Sequence, residues 1–320
     1  MLLTFVRNFL GTGLIFTMTG VLSSNKCRRF PSVQGSDTKQ NDVIVCGSIN
    51  TAKHHLLFFG GDVQDYLEKM EAHRDNIHYL EWNLESTAEL LQKNFNDAVI
   101  FVVKPSKMFL QTFSIYSNFV ESNQEGTPTF SSKFGGFTHL IKLYSNACRL
   151  ALEYENKSTA NEGICHRNEA EPGCETDKNS GCLMSARVPI SIMGFSKGCV
   201  VLNQLVYELE QIDKNEELKN FSSNIYAMYW LDGGHIGGSK AWITDDDVLV
   251  RLKNLGCKIV VHVTPYQIRD PMRTWIGKEE SKFVAKLKKL GAKIEQHVHF
   301  DNEDRSITNH FKVLTVVKPV

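Results

Sequence analysis

The strongest chemical signal in the chain is Ile190-Ser191-Ile192-Met193-Gly194-Phe195-Ser196-Lys197-Gly198. An apolar run enters Gly-x-Ser-x-Gly and leaves into Cys199-Val200-Val201-Leu202-Asn203-Gln204-Leu205-Val206. A strand that turns sharply into a helix at this pattern lifts the serine hydroxyl above the sheet on a strained turn. The glycines leave room for strand and helix to approach. The spacing nominates Ser196 as a nucleophile on such an elbow. The residue after it aims its backbone N–H at the oxyanion of acyl transfer, so Lys197 is expected to contribute main chain rather than charge. An ordinary strand-to-helix turn is the bland alternative. The apolar strand ahead and the helix behind, apolar on most sides, favour the elbow.

A serine needs a base, and the base needs an orienting acid. On this layout the order is serine, acid, histidine, with the histidine after the last strand. His310, in Asp304-Arg305-Ser306-Ile307-Thr308-Asn309-His310-Phe311, occupies that place and is the best placed of eleven histidines. The acid has two candidates. Asp270 follows the penultimate strand, the usual position, and is preferred; its flanking Arg269 and Arg273 leave open a salt-bridged loop carboxylate. Asp232, in Trp230-Leu231-Asp232-Gly233-Gly234-His235, ends the preceding strand and is the alternative, unless it is a turn residue before two glycines. A second oxyanion donor belongs after an early strand. His54–Phe59 runs into Gly60-Gly61-Asp62-Val63-Gln64, which nominates the N–H groups of Gly61 and Asp62. Asp62 also fits a helix cap.

Positioning these residues takes a sheet. From His54 onward, short apolar runs alternate with helical periodicity, the signature of parallel strands covered by helices. Strands are expected at 55–59, 98–103, 189–194, 225–231, 258–263 and 292–300. Helices are expected at 84–95, 137–153, 197–211, 245–255 and 279–290, the last two stopped by Gly256 and Gly291. The fold class is α/β: an α/β-hydrolase-like, mostly parallel central sheet with helices on both faces. Residues 41–320 are read as a single domain. Residues 154–187, polar and without period, are read as an exposed disordered insertion.

Residues 1–40 read as a targeting leader and linker. The first acid is Asp37, and Arg7, an apolar run from Phe9 to Leu22, and Lys26, Arg28 and Arg29 precede it. A mitochondrial presequence and a secretory signal both fit, whereas a membrane anchor of about 20 apolar residues fits poorly. The 36 basic side chains balance the 36 acidic ones, which leaves no electrostatic footprint for nucleic acid. No H-E-x-x-H, phosphate loop or dinucleotide fingerprint is present, and serine acyl chemistry requires no metal or organic cofactor. The eight cysteines lack close C-x-x-C pairing, which weakly favours a non-disulfide compartment. Cys199 and Cys257 are expected to be buried. The sequence assigns no protein partner.

Several long blocks resemble the family of the human chromosome 2 open reading frame sixty-nine protein. They are His54 to Gln64, Ile192 to Leu205, Met228 to His235, His262 to Gln267 with Trp275 to Glu279, and Asn309-His310-Phe311. The resemblance covers most of the chain from His54 to Phe311 and fades in the leader and in 154–187. It implies an α/β-hydrolase-like mitochondrial protein of the matrix, with a transit peptide and a link to respiratory-chain function. It implies no substrate. Two readings of function follow: a serine hydrolase acting on a small ester, thioester or other acyl compound, and a non-catalytic binding or assembly factor on a hydrolase scaffold. A secreted lipase-like enzyme is a weaker third.

Overall fold

The computed structural model describes residues 27–163, 188–235, 237 and 239–320. Eight strands form the central sheet: β1 (Arg28–Gln34), β2 (Gln40–Cys46), β3 (His54–Phe59), β4 (Ala98–Val103), β5 (Ile190–Phe195), β6 (Ile225–Leu231), β7 (Lys258–Val263) and β8 (Ile294–Val298). Their spatial order is β1-β2-β4-β3-β5-β6-β7-β8. Only β2 runs antiparallel to its neighbours; β4 through β8 are parallel. This is the α/β-hydrolase-like arrangement.

The inner strands are near-continuous apolar runs because both of their faces are covered. Alternate side chains along each strand therefore enter two separate cores. Leu57, Phe101, Ile192 and Trp230 lie in one, with helices α2 (Gly136–Gly163), α3 (Cys199–Glu208), α4 (Asp246–Leu255) and α5 (Trp275–Lys289). Leu56, Phe58, Met193 and Tyr229 lie in the other, with α1 (Leu84–Asn94) and α6 (Ile307–Val316). Helix α3 is buried on nearly every side, which explains its apolar sequence. Edge strand β8 is mostly exposed, as its partial alternation suggests.

The fold departs from expectation at both supposed leader and insertion boundaries. Residues 28–40 are not linker: β1 pairs with β2, and a bulge falls between Phe30 and Val33. The bulge and the exposed edge erase the apolar alternation by which strands are read. Cys27 and Cys46 form a disulfide across this hairpin, against the expectation for the cysteines. Residues 154–163 continue helix α2, so the polar stretch does not begin a disordered insertion there. The leader residues 1–26 and residues 164–187 lie outside the described residues.

Between β4 and α2 the chain forms two small hairpins, Lys107–Phe109 with Phe113–Ile115 and Glu121–Ser122 with Pro128–Thr129. The first leans on the turn after β3 at the carboxyl end of the sheet, where the hydroxyls of Ser114 and of the following Tyr116 donate to the Gly61 and Gly60 carbonyls. Ligands of open parallel sheets bind at that end.

Candidate active site

Ser196 follows β5 directly and holds φ at +51°, a conformation that a non-glycine residue keeps only where its surroundings enforce it. The enforcement is visible at Gly198, where an added Cβ would lie 2.0 Å from the Phe59 carbonyl oxygen. Strand β3 and the start of the helical turn thus touch through backbone, and only glycine fits. The turn has the shape of a nucleophile elbow.

Asp232 directly follows β6, with no solvent exposure and φ of +46°. Its Oδ1 accepts the Thr264 N–H at 2.8 Å, and its Oδ2 accepts the Thr264 hydroxyl at 2.6 Å. The same Oδ2 lies 2.6 Å from His310 Nδ1. An acceptor-only carboxylate so placed holds the proton on Nδ1 and leaves Nε2 as the basic nitrogen. His310 sits in the first turn of α6, its ring 4.7 Å from that of Phe195 and 4.6 Å from that of Tyr266. The His310 ring therefore packs on the residue adjoining Ser196. The Ser196 hydroxyl itself makes no hydrogen bond among the described residues.

The preferred acid of the sequence reading is overturned. Asp270 does not meet His310. Its Oδ2 accepts Arg273 Nε and an Arg305 guanidinium N–H, each at 2.8 Å, and its Oδ1 accepts the Met272 N–H at 2.9 Å. Burial pushes its carboxyl up, but these hydrogen bonds outweigh burial and hold it below the usual carboxylate range. Asp270 ties the loop after β7 to the loop that leads into α6, since Arg305 also donates to the Tyr266 carbonyl. Asp270 holds the position after the penultimate strand, but Asp232, one strand earlier, makes the contact with His310.

The oxyanion turn is corrected too. The Gly61 N–H is taken by Gln64 Oε1 at 2.9 Å, so it is not free to face a substrate. The Asp62 N–H makes no hydrogen bond among the described residues. It stays available beside that of Lys197, which lies in the first helical turn after β5, where amides lack intrahelical partners. An added Cβ on Gly61 would come within 2.8 Å of Ser196 Cβ, so this turn lies directly against Ser196. The Asp62 carboxylate caps no helix; its Oδ1 accepts the Ser114 N–H at 2.8 Å. Burial pushes its carboxyl up, and the charge of Lys197 draws it partly back.

Lys197 brings more than main chain. Its side chain is 1% exposed, and its Nζ has no hydrogen-bond partner among the described residues. Burial pushes its ammonium down, countered by Asp62. Sequence reasoning also missed Gln64, whose Nε2 donates to the Trp82 carbonyl and Thr87 hydroxyl and so moors the oxyanion turn to α1. Thr264 was the one neighbour with a readable signal, a threonine before proline at a strand end. His297 and His299 stack with His262 on the edge of the sheet, away from Ser196 in the strand order. Among the described residues no group of three or more histidine, cysteine or acidic side chains is arranged to hold a metal ion.

A model of the C2orf69 family matches residues 29–188 and 154–293 of this sequence. The human mitochondrial protein C2orf69 is 42% identical over 282 residues, which cover 82% of this chain and 73% of that protein. Its mouse homologue is 40% identical over 307 residues, 88% of this chain and 84% of that one. Among solved structures, an acylaminoacyl peptidase of Pyrococcus horikoshii aligns over 91% of this chain and 39% of its own, at 11% identity and a TM-score of 0.45.

Proposed function

From a chain that belongs to the C2orf69 family, and that sets a buried aspartate–histidine pair beside a strained serine, we propose a mitochondrial serine hydrolase acting on an ester or thioester. The observation that carries this reading is the 2.6 Å contact of His310 Nδ1 with Asp232. A structural histidine would not need a fully buried carboxylate with two further donors from Thr264.

In the reaction, Ser196 Oγ attacks the acyl carbon and passes its proton to His310 Nε2. Asp232 holds the other ring nitrogen and stabilises the imidazolium. The N–H groups of Lys197 and Asp62 receive the developing oxyanion. The C–O or C–S bond breaks, and the leaving alcohol or thiol takes the proton from His310. Water, deprotonated by His310, then splits the acyl-serine into a carboxylic acid and free Ser196. In apo proteins the serine–histidine bond is commonly long and tightens with substrate, in keeping with the unbonded Ser196 hydroxyl.

The mitochondrial names of the relatives and the acid-free leader support import. We place the protein in the matrix, its leader acting as a transit peptide and its product serving respiratory-chain function. Protease protection of the imported chain in mitochondria and in mitoplasts tests the compartment.

A second reading, a binding or assembly factor on the same scaffold, draws on the occupied Gly61 N–H. Fluorophosphonate labelling of the purified chain separates the two. Capture of wild type that is lost in Ser196→Ala and His310→Ala supports the hydrolase. A folded wild type that resists the probe supports the binding factor.

A further inference from the structure

Lys197 is a buried cation that the proposed chemistry does not use. Its side chain is 1% exposed, and its Nζ has no hydrogen-bond partner among the described residues. Three pieces of the molecule surround it. Ser196 adjoins it in the chain. Asp62, on the oxyanion turn, faces its charge without forming an ion pair. On the remaining side is the turn from Asn123 to Thr127, where a Cβ on Gly126 would stand 3.5 Å from Nζ. That turn also meets the loop after Asp232, since a Cβ on Gly237 would lie 3.4 Å from Thr127 Cγ2. The ammonium thus stands against the Asn123–Thr127 turn, within reach of the charge of Asp62 on the oxyanion turn, and on the residue that follows Ser196.

A cation withdrawn from water is retained at a cost unless something pairs with it. Asp62 attracts the ammonium by charge but makes no hydrogen bond to it. Its Oδ1 is committed to the Ser114 N–H. A simple filler at this position would be apolar, like Cys199, Val200 and Val201, which follow it into the core. The residue that follows the serine in the chain instead carries a charge into the interior.

We propose that Lys197 Nζ marks an anion subsite of the acyl pocket, so that the acyl group passed to Ser196 ends in a carboxylate and the substrate is a half-ester or half-thioester of a short dicarboxylic acid. This rests on the hydrolase reading. Ser196 Oγ bonds to the acyl carbon, the C–O or C–S bond breaks, the alcohol or thiol leaves with the proton from His310, and water releases the free dicarboxylate. The distal carboxylate gives the ammonium its missing partner in both steps. A neutral acyl chain of the same length gains nothing from it.

The test compares N-acetylcysteamine thioesters matched in carbon count, glutaryl against pentanoyl and adipoyl against hexanoyl, by thiol release from the purified chain. A charge-assisted contact is expected to favour the charged member of at least one pair by about tenfold or more in kcat/KM. Lys197→Met keeps the backbone donor and the side-chain length, and the charged-to-neutral ratio is expected to collapse toward one. A wild-type ratio at or below one for both pairs overturns the proposal, whatever the variant does. Binding gives a readout independent of turnover: calorimetry of Ser196→Ala with monomethyl glutarate and with methyl pentanoate. Preference for the charged ligand that disappears in Ser196→Ala/Lys197→Met supports the subsite even if no thioester is cleaved, a result that would sink only the hydrolase reading. Equal binding, or none of the charged ligand, overturns the subsite while fluorophosphonate capture of Ser196 still judges the hydrolase.

Discussion

His310 Nδ1 stands 2.6 Å from Asp232 Oδ2, while Asp270, which also sits after a sheet strand, gives its Oδ2 to Arg273 and Arg305. The two carboxylates therefore have separable tasks. Asp232→Asn replaces an acceptor by an amide that no longer fixes the Nδ1–H tautomer. Turnover, or the rate of fluorophosphonate capture, is expected to fall by about 10⁴-fold, the size seen when the equivalent acid of a serine triad becomes its amide. Asp270→Asn is expected to stay within about tenfold of wild type on the same assay, because it acts only by positioning. Equal damage from both, with both proteins folded, would refute the assignment of Asp232.

Asp270 should show itself in stability. Its carboxylate is 4% exposed and receives two guanidinium bonds. The arginine side chains keep 26% and 36% exposure, so water can recover part of what they lose. Asp270→Asn is expected to cost about 1–3 kcal/mol and to lower the thermal midpoint by a few degrees. A variant that melts with wild type would mean that the staple between the β7 loop and the loop before α6 adds nothing to stability.

The elbow was legible in the sequence because its determinants are local: an apolar strand, two glycines at fixed offsets and an apolar helix. His310 was legible because chain order alone places it after the last strand. The acid was not, because two aspartates satisfy the order and the decision is made by hydrogen bonds from distant residues. Thr264 donates to one, while Arg273 and Arg305 donate to the other. The second oxyanion donor was half legible. Nothing in Gly60-Gly61-Asp62 announces that Gln64 turns back to occupy Gly61. Strand β1 was hidden by the bulge at Pro31 and Ser32 and by its exposed edge. The burial of Lys197 was invisible, since a lysine after an elbow serine reads as a solvated side chain.

The contact of Gly198 with Phe59 offers a structural test of the elbow. An added methyl would sit 2.0 Å from a backbone oxygen in the neighbouring strand, and no rotamer can relieve it. Gly198→Ala is expected to destabilise the chain by more than about 4 kcal/mol or to prevent soluble expression. Chemical denaturation checks it. A variant within about 1 kcal/mol of wild type would show that β3 and the elbow are further apart than described.

The last prediction concerns acid. His55, His139 and His262 are nearly or wholly buried. Burial pushes His55 and His139 down to about 4, helped by the charges of His54 and Lys39 respectively, and His262 down to about 3, helped by His299 and His297. His139 shows why the neutral form is kept: its Nδ1 accepts the Ser36 N–H at 3.1 Å, while its Nε2 lies 2.9 Å from Asn41 Oδ1. A second proton would set N–H against N–H. In the unfolded chain these rings titrate near 6.5, so below that pH the unfolded state binds more protons than the folded one. Stability is therefore present in full above about 6.5 and is lost as pH falls toward 4. Each histidine contributes up to about 1.4 kcal/mol per pH unit in that window, so three together give a slope of about 4 kcal/mol per unit. Unfolding free energies at pH 7, 6 and 5 measure it, and His139→Gln is expected to remove about one third of the slope. A slope near zero between pH 6 and 5 would mean that these rings take up protons without opening the fold.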